Sequence, residues 1–225
     1  MLTVSTRGTG SPTRAPAWAT RSLIALTIAV YLVQLAVDET RAQELVLRYG
    51  MTPEIFVGGE RPFGGFPPLL TPLTATFLHG SWDHLAGNMI YLWVFGDDIE
   101  EVLGAFRFVL FYLVCGVCGA LGYVLMDSHA TIALLGASGA VSGVIVAYLM
   151  LKPCEPLEIT LPGLDLRMAV YWAVGGWLLL QLFQYLWHAD EESFSTLAQA
   201  GGVLAGAIAF WGLSPRGTKL FRCVN

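Results

Sequence analysis

Charge is what this chain has least of. Only 13% of its 225 residues are Asp, Glu, Lys or Arg, against roughly 25% in an ordinary soluble domain, and 55% are hydrophobic. That balance excludes a well-solvated globular surface and is the composition of a membrane protein. Cysteine is scarce too: four residues, too few and too scattered for a disulfide framework. Cys115 and Cys118 form a CxxC inside the apolar run LVCGVCGALG, without the βαβ context of a redox motif, and read as small residues at a helix interface. No internal repeat is visible and the span interiors carry no charge, so a small transporter or channel ranks last among the function classes.

What is present is a series of apolar runs long enough to be membrane helices, near 21–37, 84–96, 106–126, 135–151, 167–187 and 196–213. The predicted fold is an all-α polytopic membrane protein with six spans, the second one short. The first run has basic residues before it, as a signal peptide does, but no small-x-small cleavage site follows and it is expected to be retained.

With the N-terminus inside, Arg7, Arg14, Arg21, Arg107, Lys152, Arg167, Arg216, Lys219 and Arg222 are cytoplasmic and Arg41, Arg48 and Arg61 external; nine against three favours an N-in, C-in topology. The acidic cluster DDIEE (97–101) then falls on the cytoplasmic side. So do Cys154 and Cys223, which are expected to stay reduced there.

The chain therefore divides into a flexible tail at 1–20, a membrane domain at 21–213 and a short tail at 214–225. The membrane domain includes a long external connection, 38–78. Its first half, DETRAQELVLRYGM, has helix-compatible spacing, and GGERPFGGFPPLLTP suits an interfacial loop. The link at 152–166 reads as a turn punctuated by three prolines.

In this topology the second, fourth and sixth spans all enter from outside, so their first turns share one depth. Those turns carry His79, His84 and Asn88, then Ser138, then Gln199. Alone, Ser138 in LLGASGAVSG reads as packing, because small residues dominate membrane helix contacts. His84 and Asn88 share a helix face, and a polar cluster at the level of the serine reads as a site. A metal held by His79, Asp83 and His84 lacks the spacing of known zinc helices. GASG is not the GxSxG of soluble hydrolases, since position 140 is alanine. It does place a serine at a helix start, where free N–H groups and the positive dipole end stabilise an oxyanion.

FLHGSWDHLAGNM resembles the HxxxxHxxxN of the rhomboid family of intramembrane serine proteases. GASG resembles its GxSG, GGVLAG its sixth-helix small-residue run, and FGDDIEEVLG its segment linking helices two and three. The resemblance covers roughly residues 71–213. It implies a six-helix core that cuts transmembrane substrates, with Ser138 as nucleophile. His84, Asn88 and the Ser138 amide fall on the oxyanion side, with His79 upstream and Gly136 opening the GxSG. Substrate entry would lie at YLWVF (91–95) and at Trp172, Trp177, Phe183 and Trp187, and HADEESFS (188–195) would cap the site. The implied partners are transmembrane proteins and the lipid bilayer, with no cofactor, metal or nucleic acid. The implied location is a bacterial inner membrane with the site facing the extracytoplasmic side.

One position departs from the pattern. Where the family has AHxGG, this chain reads AQAGG, which puts Gln199 in the place of the general base. A carboxamide has no useful basicity near neutral pH, and loss of the histidine in subtilisin lowers kcat by about 2 × 10⁶. Of the remaining histidines, His79 and His84 belong to the oxyanion side, and His129 and His188 lie in loops. The expectation is a serine endopeptidase scaffold with weak or absent activity. The alternative is a pseudoprotease that binds transmembrane clients.

Overall fold

The computed structural model describes residues 3–6, 16–58, 66–161, 164–187 and 193–223. In chain order the helices are α1 (Trp18–Ala36), α2 (Glu39–Tyr49), α3 (Pro53–Phe56), α4 (Thr71–Ala75, preceded by a 3₁₀ turn at Pro68–Leu70), α5 (Trp82–Leu103), α6 (Ala105–Met126), α7 (Ser138–Leu151), α8 (Val170–Trp187) and α9 (Ser193–Leu213). Strands β1 (Thr3–Thr6), β2 (Pro156–Leu161) and β3 (Leu164–Ala169) complete the set. The architecture is mainly helical and polytopic. By length and apolarity α1, α6 and the Thr196–Leu213 part of α9 are able to cross a bilayer; α7 and the Val170–Phe183 part of α8 are apolar but shorter.

The external connection folds as its composition suggests in its first half. Asp38 caps α2 by accepting from the Arg41 N–H at 3.1 Å, and Thr74 Oγ1 donates to the Tyr49 carbonyl at 2.6 Å, tying α4 back to the end of α2. Residues 59–65 of the glycine-rich half lie outside the described residues.

The helix expected as a second span at 84–96 is longer, α5 at Trp82–Leu103, and is not among those apolar enough to cross a bilayer by composition. Ser81 caps its start, accepting from the His84 N–H at 3.3 Å, and the helix runs on through the acidic cluster until Gly104, whose φ of +76° breaks it. The cluster is thus the last turns of α5 rather than a link. Its two most buried acids, Asp98 and Glu100, are tolerated because they are paired. Glu100 is 6% exposed and accepts from the N–H groups of Ala19 (2.9 Å) and Thr20 (2.7 Å) and from the Thr20 hydroxyl (2.8 Å). It therefore satisfies the open amides at the positive end of α1. Asp98 meets Lys152 at 2.9 Å.

Two further expectations are corrected. The 152–166 link is a hairpin, not a turn: β2 pairs antiparallel with β3 from Pro156↔Ala169 to Leu161↔Leu164. The tail supplies β1, paired with β2 from Thr3↔Thr160 to Thr6↔Leu157. The prolines flank or open the strand, as strand prolines do. Cys154 and Cys223 are not free thiols but form a disulfide, with Cα atoms 5.2 Å apart. The C-terminal segment folds back to α7, with the Phe221 N–H donating to the Met150 carbonyl at 2.7 Å, and this return brings together residues 69 apart in sequence. Denatured without reductant, the protein should expose two alkylatable thiols, Cys115 and Cys118; reduction first should give four. Four in both conditions would count against the bridge.

The tightest packing joins α6, α7 and α9. A Cβ on Gly119 would lie 2.6 Å from the Ala198 carbonyl oxygen and 3.1 Å from the Gly139 Cα. Such contact is possible only between helices that bring small residues to one seam.

Candidate active site

Ser138 opens α7, so the amides of its first turn have no intrahelical acceptor and the positive end of the helix dipole lies beside its hydroxyl. The approach to the helix is fixed by Gly136. Its φ is +116° and its N–H donates to the Ala75 carbonyl at 2.9 Å. A Cβ there would fall 2.8 Å from His84 Nε2. Only glycine meets both demands, the positive φ and room for an imidazole lying on the backbone two residues before Ser138.

The two histidines and the asparagine do converge. The rings of His79 and His84 are 5.1 Å apart at 60°. Asn88 Nδ2 lies 3.3 Å from His79 Nε2 and donates to the His84 carbonyl at 3.0 Å. The Ala137 N–H, immediately before Ser138, also points at His79 Nε2, at 3.4 Å. A backbone N–H only donates, so Nε2 is the unprotonated nitrogen and Nδ1 carries the proton. His79 sits in the turn between α4 and α5, where burial, reinforced by the neighbouring His84 and opposed by the Phe77 backbone, pushes its pKa down to about 4. The ring is therefore neutral at physiological pH, which agrees with its role as acceptor. In this arrangement one Asn88 amide hydrogen has the His84 carbonyl, and the other shares the single Nε2 lone pair of His79 with the Ala137 N–H.

Gln199 lies on α9, whose neighbouring Ala198 carbonyl would be 3.3 Å from a Cβ on Gly139. The first turn of α7 thus faces the turn of α9 that carries Gln199. The carbonyl oxygen of Gln199 accepts from the Gln181 side-chain amide of α8. His129 is exposed in the turn before α7, where its N–H donates to Asp127 at 2.9 Å. His188 lies outside the described residues, as does most of the expected cap; of 188–195, Ser193–Ser195 already belong to α9.

The expected entry region is partly assembled. Tyr91, Val94 and Phe95 of α5 line an apolar cleft of about 430 Å³ together with Ala173, Val174 and Trp177 of α8 and Leu157 and Met168 of the hairpin. Trp172 and Phe183 are exposed rather than in the cleft.

Sequence reasoning missed two residues. Gln34 of α1 and Gln181 of α8 are amides within apolar runs, and an uncharged polar group inside a span is itself a signal that it has a partner there. Gln34 Nε2 donates to the His79 carbonyl and the His79 N–H donates to Gln34 Oε1, both at 3.1 Å.

Residues 69–216 match the family model described as the Rhomboid domain. The chain is 29% identical over 157 residues to Rhomboid-like protein 11, chloroplastic, of Arabidopsis thaliana, an alignment covering 68% of this chain and 55% of that one. It is 29% identical over 149 residues to Rhomboid protein 1, mitochondrial, of Saccharomyces cerevisiae, covering 62% and 40%. It is 37% identical over 81 residues to Rhomboid protease GluP of Bacillus subtilis, covering 36% and 15%. The chain thus spans about half the length or less of these relatives. With its apolar helices and a family-model match over well more than half of its residues, it is an integral membrane protein and belongs to the rhomboid family.

Proposed function

We propose that this chain receives transmembrane segments of other proteins at the cleft between α5 and α8 and presents them to a rhomboid-type serine site that cleaves them weakly or not at all. In this reading Ser138 holds the nucleophile position, His84 and Asn88 the oxyanion side, Gly136 the bend that admits His84, and Gln199 the position of the base. The count of basic flanks puts the site at the extracytoplasmic face, of a bacterial plasma membrane in the simplest case.

One observation supports weak or absent activity: the turn of α9 packed on the first turn of α7 carries a glutamine whose side-chain oxygen already accepts from Gln181. A serine hydroxyl attacks an amide efficiently only when a neighbouring base takes its proton. A carboxamide oxygen with a donor on it offers less than a free one.

The test is binding scored apart from cleavage. In vesicles containing the protein, Trp177 of the cleft should transfer energy saturably to a single-span peptide carrying an acceptor label, and Val94→Phe, which fills cleft space without adding a tryptophan, should weaken that signal several-fold. Binding that does not saturate, or that ignores Val94→Phe, would remove the proposed client site.

A further inference from the structure

The hydrogen bonds between Gln34 and His79 tie the first helix, which carries none of the reacting groups, to the serine loop. We infer that Gln34 is a positioning residue for the Ser138 site, acting through His79 on the Ala137 amide and on Asn88; the inference rests on the reading of Ser138 as the nucleophile position.

The argument runs from the amide outward. Gln34 is 9% exposed on the face of an apolar helix, where a carboxamide without partners would be costly. It uses one donor and one acceptor on the carbonyl and N–H of a single residue, His79, each at 3.1 Å. That two-point attachment fixes the backbone of His79 in position and in rotation, which a single bond would not do. No helix or strand supplies partners to this backbone, because His79 lies in the turn between α4 and α5.

With its backbone fixed, the buried His79 ring presents one unprotonated nitrogen to two donors on different elements. Ala137 N–H at the mouth of α7 is 3.4 Å away and Asn88 Nδ2 of α5 is 3.3 Å away. The Ala137 peptide leads directly into Ser138, and Asn88 sits on the oxyanion side. A shift of His79 therefore moves both walls of the site together. Misplacement of about 1 Å by a residue remote from the chemistry is enough to cost roughly 10²-fold in rate.

The experiment uses the full chain in detergent micelles or bilayer discs, with ¹⁵N-histidine labelling and His79 assigned by the loss of its signal in His79→Gln. In the parent at pH 7 the His79 ring should show the neutral form protonated at Nδ1. Gln34→Met keeps the length and apolar packing of the side chain but removes both hydrogen bonds. It should move the His79 ring signals toward a mixture of tautomers. In a Gln199→His background it should slow labelling of Ser138 by a fluorophosphonate roughly ten- to a hundredfold. Leu23→Ala, on the buried face of the same helix at 6% exposure, disturbs packing without touching the bonds and should leave both readouts unchanged.

Unchanged His79 signals in Gln34→Met would overturn the inference. Equal shifts in Gln34→Met and Leu23→Ala would overturn it also, by making Gln34 a packing residue only. A shifted histidine signal specific to Gln34→Met, with no Ser138 labelling in any background, would uphold the link from α1 to the serine loop and sink the nucleophile reading instead.

Discussion

Replacing Gln199 by histidine should raise Ser138 labelling by a fluorophosphonate, and cleavage of a model transmembrane substrate, by about 10²–10⁴-fold, the span that a positioned general base supplies. The scaffold needs little adjustment to receive it. The turn of α9 that holds residue 199 already lies against the first turn of α7, with the Ala198 carbonyl in contact with Gly139. Gln181 on α8, which now donates to the Gln199 oxygen, has an amide that turns to offer its own oxygen to the Nδ1–H of an imidazole, the orienting role a third group plays in serine hydrolases. Ser138→Ala in the same background should return both signals to baseline. A Gln199→His protein that folds and stays inert would mean that the oxyanion side, not the missing base, sets the activity.

The second large effect concerns the seam that makes this juxtaposition possible. A Cβ on Gly202 would run into the Gly139 carbonyl and lie 2.9 Å from the Gly139 Cα. Both obstacles are backbone, so no rotamer change relieves them. Gly202→Val should therefore force α7 and α9 apart. Overpacking of this kind typically costs about 1–3 kcal/mol, and here it falls on the contact that sets the distance between residues 138 and 199. In the Gln199→His background, Gly202→Val should abolish the gained labelling and lower the melting temperature in detergent. Gly212→Val, on the same helix with nothing within 4 Å of the added atom, should leave both near their starting values. A Gly202→Val protein as stable and as reactive as its parent background would show that the two helices are not held by that contact.

Much of this was legible in the sequence, and for identifiable reasons. Apolar runs became helices because a bilayer leaves the backbone no other way to satisfy its hydrogen bonds within a segment. His84 and Asn88 share a face because helix periodicity acts locally, whereas the meeting of Gly136 with the His84 ring joins residues 52 positions apart. What stayed hidden depended on contacts between distant residues. Asp98 and Glu100 look like a solvated loop until Lys152 and the start of α1 are seen beside them. The disulfide needs the C-terminal return marked by the bond from Phe221 to Met150. The hairpin is a register of twelve residues whose prolines gave turn signals instead. Gln34 and Gln181 were visible as polar residues in apolar spans, but their partners, His79 and Gln199, are 45 and 18 positions away.

The central claim, a rhomboid-family serine site without a working base, meets its most direct test in the unmodified protein. Purified parent, with Ser138→Ala and Gln199→His beside it, should be incubated in vesicles with a single-span substrate, at enzyme excess and for many hours, and the cleaved fraction quantified by mass spectrometry. The account predicts parental cleavage at or barely above the level of Ser138→Ala and empty vesicles, and about 10²-fold or more below that of Gln199→His, while each protein still binds the substrate saturably. Ser138-dependent cleavage by the parent at a rate close to that of Gln199→His would contradict it and make this chain an active protease that finds its base elsewhere than at Gln199.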